Sequence, residues 1–550
     1  MMRRWLLLVG LAMGFASSSH AQAVGQCVTG TAIAFLENAE LRASVFNTGS
    51  LFFGGSTTSG DGYLIPKAAE VSPLFAVSFN LGGTVNGDLR KAGARYGNWD
   101  FWPGPLEDAA RPPEDCSEHD RIYLVSREDI RRYYETGQAA PDLAEWPYQL
   151  GAPVIDGDGD STNYDLRAGD QPDLIGDMAA WWVMNDAGND HDPGLPLGVE
   201  VRVHAFVYGR DEEVLSPALS QTSFYRYEIV NRSEAVIDSM YAMMYVDADV
   251  GDAGDDYMGT DTLRNMIFAF NDSNEDGAYG TAPPAQGVQI LQGPIGLANG
   301  RDDDFDGLVD EPGERQGATS SNTCELGTRC PYTIEDYDYY MRGLWADGTP
   351  QYESGHGWGP QVGAAVTRFW FTGDPVTESF WSAMNIDDSG RQASPGDYRM
   401  MMSTGPFRLN PGESAGIFYA FPFGRGSDYL QSVAVMRGHA FALQDAHAAG
   451  FFASSPVAQS EPTFELTLTR VRPNPSSGAA QALLTLPETA HVRAVVVDML
   501  GRQLEVLVDG ELARGETVLE MPHELAPGRY LLRVEVTPGV EETIPFTVAR

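Results

Sequence analysis

A chain of 550 residues is larger than one hydrophobic core serves, so two or three domains are expected, and a hydrophobic content of 43% excludes disorder as the default state. Against 77 Asp+Glu there are only 36 Lys+Arg, a formal charge of −41. That balance argues against nucleic acid and anionic membrane surfaces as partners, because both are held by clustered cations.

Met1 to Arg4 forms a cationic start, Trp5 to Phe15 an apolar run, and Ser19-His20-Ala21 an A-x-A-like site. This is the pattern of a secretory signal peptide over residues 1–21, cut after Ala21 or, as a near alternative, Ala23. The run is too short to cross a bilayer of about 30 Å, and no later segment approaches the ~20 apolar residues of a transmembrane helix. Four cysteines follow: Cys27, Cys116, Cys324 and Cys330. In an exported chain an even count favours two disulfides, with Cys324 and Cys330 closing a short loop and Cys27 tying the amino terminus to Cys116. A zinc site is the weaker alternative, since the spacing is not C-x2-4-C and only His119 is near.

The body, residues 22–459, is dominated by alternating segments such as Glu200 to Tyr208 and Ser223 to Val230, bounded by Gly, Pro, Asn and Asp. Period-2 alternation predicts half-buried antiparallel strands, hence a mostly β, sandwich-like multi-domain body with few helices. Two helices are predicted, one over Glu128 to Tyr134 behind an N-cap at Ser126 and one from Asp428 to His447. Phe451 to Pro462 carries Ser-Ser-Pro and Ser-Glu-Pro and reads as connecting chain, with the linker placed at 460–464.

Three segments space acidic or amide side chains two apart: Asp156, Asp158 and Asp160; Asp272, Asn274 and Asp276, then Gly277; Asp302, Asp304 and Asp306, then Gly307. Such spacing can turn several oxygens toward one hard cation, with Gly permitting the sharp turn, so calcium with a structural role is the expected cofactor. None is a full EF-hand loop, since the position for the bidentate Glu is Pro283 in one and Gly313 in another. A fourth cluster, Asp247, Asp249, Asp252, Asp255, Asp256 and Asp261, follows the apolar run Met240 to Val246. Solvated acidic turns on an acidic protein are the alternative.

No H-E-x-x-H, G-x-S-x-G, P-loop or Rossmann glycine pattern occurs, so catalytic residues are unknown and the reading leans away from an enzyme. The body histidines are scattered singly. His356, in Ser354-Gly355-His356-Gly357-Trp358-Gly359, stands out, with packing of an aromatic as the expected role of that glycine-rich loop.

From Glu465 to Arg550 the pattern changes to about seven short strands, enough for a small immunoglobulin-like β-sandwich. Here Pro473-Asn474-Pro475 is followed by a turn with Asp498, Gly501 and Arg502, then by Leu525 to Tyr530 with Gly528 and Tyr530 leading into a late strand. In order and spacing these motifs resemble the type A carboxy-terminal sorting domain of type IX secretion cargo. The resemblance implies passage through the periplasm, recognition by the type IX translocon, and attachment to surface lipopolysaccharide or release, so a secreted or outer-surface location. Asp100 to Leu106, Gly176 to Asp186, and Ser403 to Phe407 with Asn410 to Glu413 are similar to phrases in uncharacterised type IX cargo, which bring no activity with them. The expected role is therefore structural or interactive, with a secreted hydrolase acting on polysaccharide or protein as the alternative.

Overall fold

The computed structural model describes residues 26–54, 62–209, 217–297, 314–325, 330–359, 363–452 and 467–549, the last stretch apart from 469–470, 475, 477–479, 487–489, 499–501, 514, 523–524 and 538–539. The signal peptide at 1–21, the linker at 460–464, and Asp302, Asp304, Asp306, Pro475 and Gly501 thus lie outside the described residues. The chain divides into two compact units, Met1–Val457 and Ala458–Arg550.

The first unit is built on two nine-stranded antiparallel sheets. The first sheet runs Ile33–Glu37, Arg42–Phe46, Ser50–Leu51, Ala76–Val85, Ile237–Asp247, Tyr398–Leu409, Ser320–Glu325, with two short strands off this path. The second runs Tyr123–Ser126, Met178–Asn185, Val199–Val207, Thr222–Asn231, Ser414–Gly424, Ala285–Gln292, Met266–Asn271, Asp256–Asp261. Phe79 of the first sheet stacks on Tyr227 of the second with centroids 4.1 Å apart, and both belong to one continuous core with Val201, Val203, Met244 and Met402. The sheets therefore face each other across that core, where each fully buried large side chain contributes about 1.5–3 kcal/mol.

Four α-helices occur among the described residues: α1 (Arg127–Thr136), α2 (Pro141–Ala144), α3 (Ile334–Met341) and α4 (Tyr429–Ala448). The first and last lie where the sequence predicts them. Ser126 closes a capping box with Asp129, and the Asp428 side chain accepts from the Gln431 N–H at the start of α4. None of these helices is long and apolar enough to cross a membrane. Strands Val199–Val207 and Thr222–Asn231 also match their predicted positions, but they are buried on both faces rather than one. At one end of that outer side Phe206 and Phe224 share a cluster with Tyr208, Leu219, Phe418 and Phe452 and with Leu443 and Ala446 of α4, which itself lies over strands Ser414–Gly424 and Ala285–Gln292.

Cys27 is bonded to Cys116 and Cys324 to Cys330. Cross-links at sequence separations of 89 and 6 are worth roughly 4–5 and 2 kcal/mol in the chain-entropy account.

The second unit has seven strands in two sheets among the described residues. One holds Thr467–Leu468, Gln481–Leu486 and Gly515–Glu520; the other runs Gln503–Leu512, Ala490–Asp498, Gly528–Thr537, Val540–Val548. Leu484, Val492, Val496, Leu532, Val534 and Phe546 share its separate core.

Candidate cation sites

One end of the large sandwich brings together the buried acids Asp247, Asp256 and Asp276. Strand Ile237–Asp247 ends with Asp247 opposite Arg399 in register, and the chain then crosses to the second sheet, which it enters at Asp256. Along this crossing Ala248 and Val250 are in the main core. In extended chain their neighbours Asp247 and Asp249 must then point to the opposite side. There Asp397, from the turn before Tyr398, joins them, and a carboxylate oxygen of each of the three lies within 4.8 Å of the others. Arg399 Nε reaches Asp247 Oδ1 at 2.9 Å, and the same guanidinium pairs with Asp397.

A second group forms where this crossing meets the hairpin after strand Met266–Asn271. The N–H of Asp252 donates to Asp276 Oδ2 at 3.0 Å, and the N–H of Asp272 donates to the Asp255 carbonyl at 2.7 Å. Asp255 is consequently surrounded by Asp276, Asp252 and Asp272. Asp256 accepts from the Val250 N–H through Oδ2, while its Oδ1 is shut off from solvent with no hydrogen-bond partner among the described residues. The same holds for Asp249 Oδ1, while the Asn271 side chain hydrogen-bonds Asp255. Buried acceptors normally find donors, because an unmet one costs about 1–3 kcal/mol.

These carboxyls resist ionisation. Burial, reinforced by Asp249, pushes Asp247 up to about 7. Burial and then Asp397 push Asp249 up to about 6, and burial with Asp276, Asp252 and Asp272 pushes Asp255 to about 6. Burial takes Asp256 well above the carboxylate range. A bound cation would oppose the like-charge repulsion and favour the ionised forms, as the nearby Arg399 guanidinium already does for Asp247 and Asp249. The donors are carboxylate and amide oxygens, with neither thiolate nor imidazole in the group, and hard oxygen donors fit calcium or magnesium rather than zinc.

The sequence-predicted residues divide unevenly. Asp272 and Asp276 lie near Asp255 but do not form a self-contained loop around a cation, since Asp276 Oδ1 accepts from the Ala278 and Tyr279 N–H groups and Oδ2 from the Asp252 N–H. Asn274 does not, since its Oδ1 accepts the Tyr429 N–H at 3.1 Å and so tethers the start of α4. Asp156 and Asp158 gather with Asp170, each offering an oxygen within 4.8 Å of the others. Asp160 turns back instead to accept from the N–H and hydroxyl of Thr162. Asp397, Asp170 and Asn271 were missed by sequence reasoning. Each stands outside any spaced motif and is brought in by tertiary structure alone.

In the second unit Asn474 Oδ1 accepts the Thr547 N–H at 2.9 Å, and the Tyr530 hydroxyl donates to the Ala526 carbonyl at 2.6 Å. The latter is the geometry of a tyrosine corner. Asp498 ends its strand opposite Tyr530, Arg502 immediately precedes strand Gln503–Leu512, and Gly528 opens the strand that Tyr530 enters. Pro473 precedes Asn474 at the sheet-edge turn where Arg472 bridges Gln481.

Three cavities on the first unit, of about 540, 270 and 650 Å³, are lined by other residues: the first by Trp181, Arg202, His204 and Arg226 among others, the second by Lys91 and Arg95, the third by Trp345 and Trp358. No family model matches the chain, and no curated protein matches it. Among solved structures it is similar to one titled a polysaccharide lyase, at 9% identity and a TM-score of 0.22, over 95% of this chain and 47% of that one. The chain thus spans about half the length of that structure, and a likeness of this size carries no argument about activity.

Proposed function

We propose that this is an exported protein of the bacterial surface, carried there by the type IX route on its carboxy-terminal module, whose body serves a structural or interaction role with calcium bound at one end of its sandwich. The observation that carries the cation reading is the convergence of Asp247, Asp249 and Asp397, beside buried Oδ1 atoms of Asp249 and Asp256 that meet no donor among the described residues. Calcium is favoured over magnesium because the donors come from separate loops in an irregular arrangement, which magnesium's strict octahedron tolerates poorly. A hydrolase would need raised-pKa carboxyls on the wall of a substrate cavity. Asp247 and Asp256 are each only 1% exposed, which suits a structural cation better than contact with a substrate.

A ligand that binds only the folded state stabilises it by about 2.7 kcal/mol at one hundred times Kd. Calcium should therefore raise Tm by several degrees over chelator at constant ionic strength, and magnesium by less. Coincident melting curves in calcium and chelator would sink the cation reading. The sorting reading rests on the three ordered motifs and on a terminal module that has its own core. Removing residues 458–550 should leave a folded body trapped in the periplasm, and its arrival at the cell surface in normal amounts would defeat the reading.

A further inference from the structure

The 650 Å³ cavity lies along Ser320–Glu325, the edge strand of the first sheet, with walls from Trp345, Trp358, Trp370 and Tyr398. Trp358 stacks on Trp345 with centroids 4.0 Å apart and planes 10° from parallel, yet it is 47% exposed. One face of its indole is covered by the buried Trp345, so the exposed area lies on the other face and the ring edge. An indole held half in water is unfavourable by about 25 cal/mol for each Å² of apolar surface, and such exposure marks binding surfaces.

This ring is fixed in place. Trp345 Nε1 donates to the Gly357 carbonyl and Trp381 Nε1 to the Gly355 carbonyl, both at 3.1 Å, so two buried indoles anchor the turn that carries Trp358. Gly357 has φ +77°, and a Cβ there would meet Trp345 at 3.2 Å and Trp370 at 3.5 Å, so the turn sits directly against the aromatic wall. A platform so anchored loses little conformational entropy when a ligand covers it. Trp370 is itself 5% exposed, and its Nε1 is buried with no partner among the described residues.

The polar groups on the same wall are Glu325, His356, Ser394 and Thr323. Although His356 is exposed, partial desolvation of its ring, with Arg391 nearby, holds it below the ordinary imidazole range against the opposing pull of Glu325. At neutral pH it is an uncharged ring with one donor and one acceptor. A flat apolar face beside hydroxyl, imidazole and carboxylate groups matches the two-sided chemistry of a sugar ring, whose C–H face is apolar and whose rim is hydroxyl. The chain's charge of −41 and the carboxylate on the wall disfavour acidic polymers and nucleic acids, which would also stack.

We propose that this cavity binds a neutral saccharide, one ring seated on the free face of Trp358 with its hydroxyls toward His356, Glu325 and Ser394. The proposal is independent of the cation reading, and the test is run in saturating calcium so that loss of that site is not mistaken for loss of this one. Purified full-length protein is titrated with cello-, xylo-, manno- and chito-oligosaccharides, with polygalacturonate and with a proline-rich peptide, following heat and tryptophan emission. At least one neutral oligosaccharide should bind and shift the emission to the blue. Trp358→Ala should weaken it tenfold or more at unchanged Tm, with Trp358→Phe keeping most of the affinity. If Trp358→Ala fails to fold, His356→Ala, at an exposed position, should show the loss instead. Failure of every neutral saccharide to bind, equal affinity in the variants, or capture of only the acidic polymer or the peptide would overturn the proposal.

Discussion

The backbone N–H of Asp252 donates to the Asp276 carboxylate across 24 residues of sequence, and this bond joins the crossing between the two sheets to the hairpin beyond the second. Gly251 makes the approach feasible. Its φ is +87°, and a Cβ at that position would lie 2.2 Å from Asp276 Oδ1. The two acidic loops therefore approach this closely only while residue 251 has no side chain.

Gly251→Ala should accordingly destabilise the body by about 1–3 kcal/mol, combining the strain of a left-handed non-glycine residue with the displacement of Asp276. Urea denaturation in calcium measures the loss. The variant should also gain less from calcium than the parent protein. An unchanged midpoint would mean that the two loops are not coupled through this contact.

Arg399 and Asp247 form a pair whose side chains are 8% and 1% exposed, with Tyr96 donating to Asp247 and accepting from Arg399. Removing one partner of a buried pair typically costs 3–5 kcal/mol because the other charge is left uncompensated. Arg399→Met should therefore cost about that much in chelator. With calcium present the deficit should shrink, because a cation between Asp247, Asp249 and Asp397 takes over part of the neutralisation and no longer faces the guanidinium. Equal deficits in calcium and chelator would show that no cation occupies that point.

Residues that act within one element were legible from sequence. The alternation of Glu200 to Tyr208 marks a strand, and Ser126 and Asp428 mark helix starts, because these signals depend on neighbours three or four residues away. What the second face of that strand touches was not legible, since α4 reaches it from more than two hundred residues downstream. The acidic spacing at Asp272 to Asp276 falls on the hairpin after strand Met266–Asn271. It could not reveal that the Tyr429 N–H takes Asn274 away, or that Asp252 and Asp255 approach from another loop. The Gly-rich segment at His356 was read as packing an aromatic, and Gly357 does lie against Trp345. That Trp358 on the same turn stays half in water depends on the shape of the cavity, which no local pattern encodes.

His204 supplies a pH dependence whose sign can be worked out. It sits in strand Val199–Val207 beside Trp181 and Arg226 in register, and its Nε2 is buried with no partner among the described residues. Burial, reinforced by Arg226, pushes its imidazole down to about 3 from the ordinary 6.5. Between those values the unfolded chain takes up a proton that the folded chain refuses, so this group's contribution to stability is lost as pH falls below about 6.5. At 1.36 kcal/mol per unit, the loss between pH 7 and pH 5 comes to about 2 kcal/mol. The raised carboxyls of Asp247, Asp249 and Asp255 act in the opposite sense, favouring the folded state as pH falls. Those contributions are common to the parent protein and to a His204→Gln variant, so they cancel when the two are compared. Urea denaturation of both proteins at pH 7, 6 and 5 should give curves of stability against pH that diverge, the parent losing about 2 kcal/mol more than His204→Gln over the range. Parallel curves would mean that His204 takes up its proton in the folded state and that the sheet beneath α4 opens to admit it.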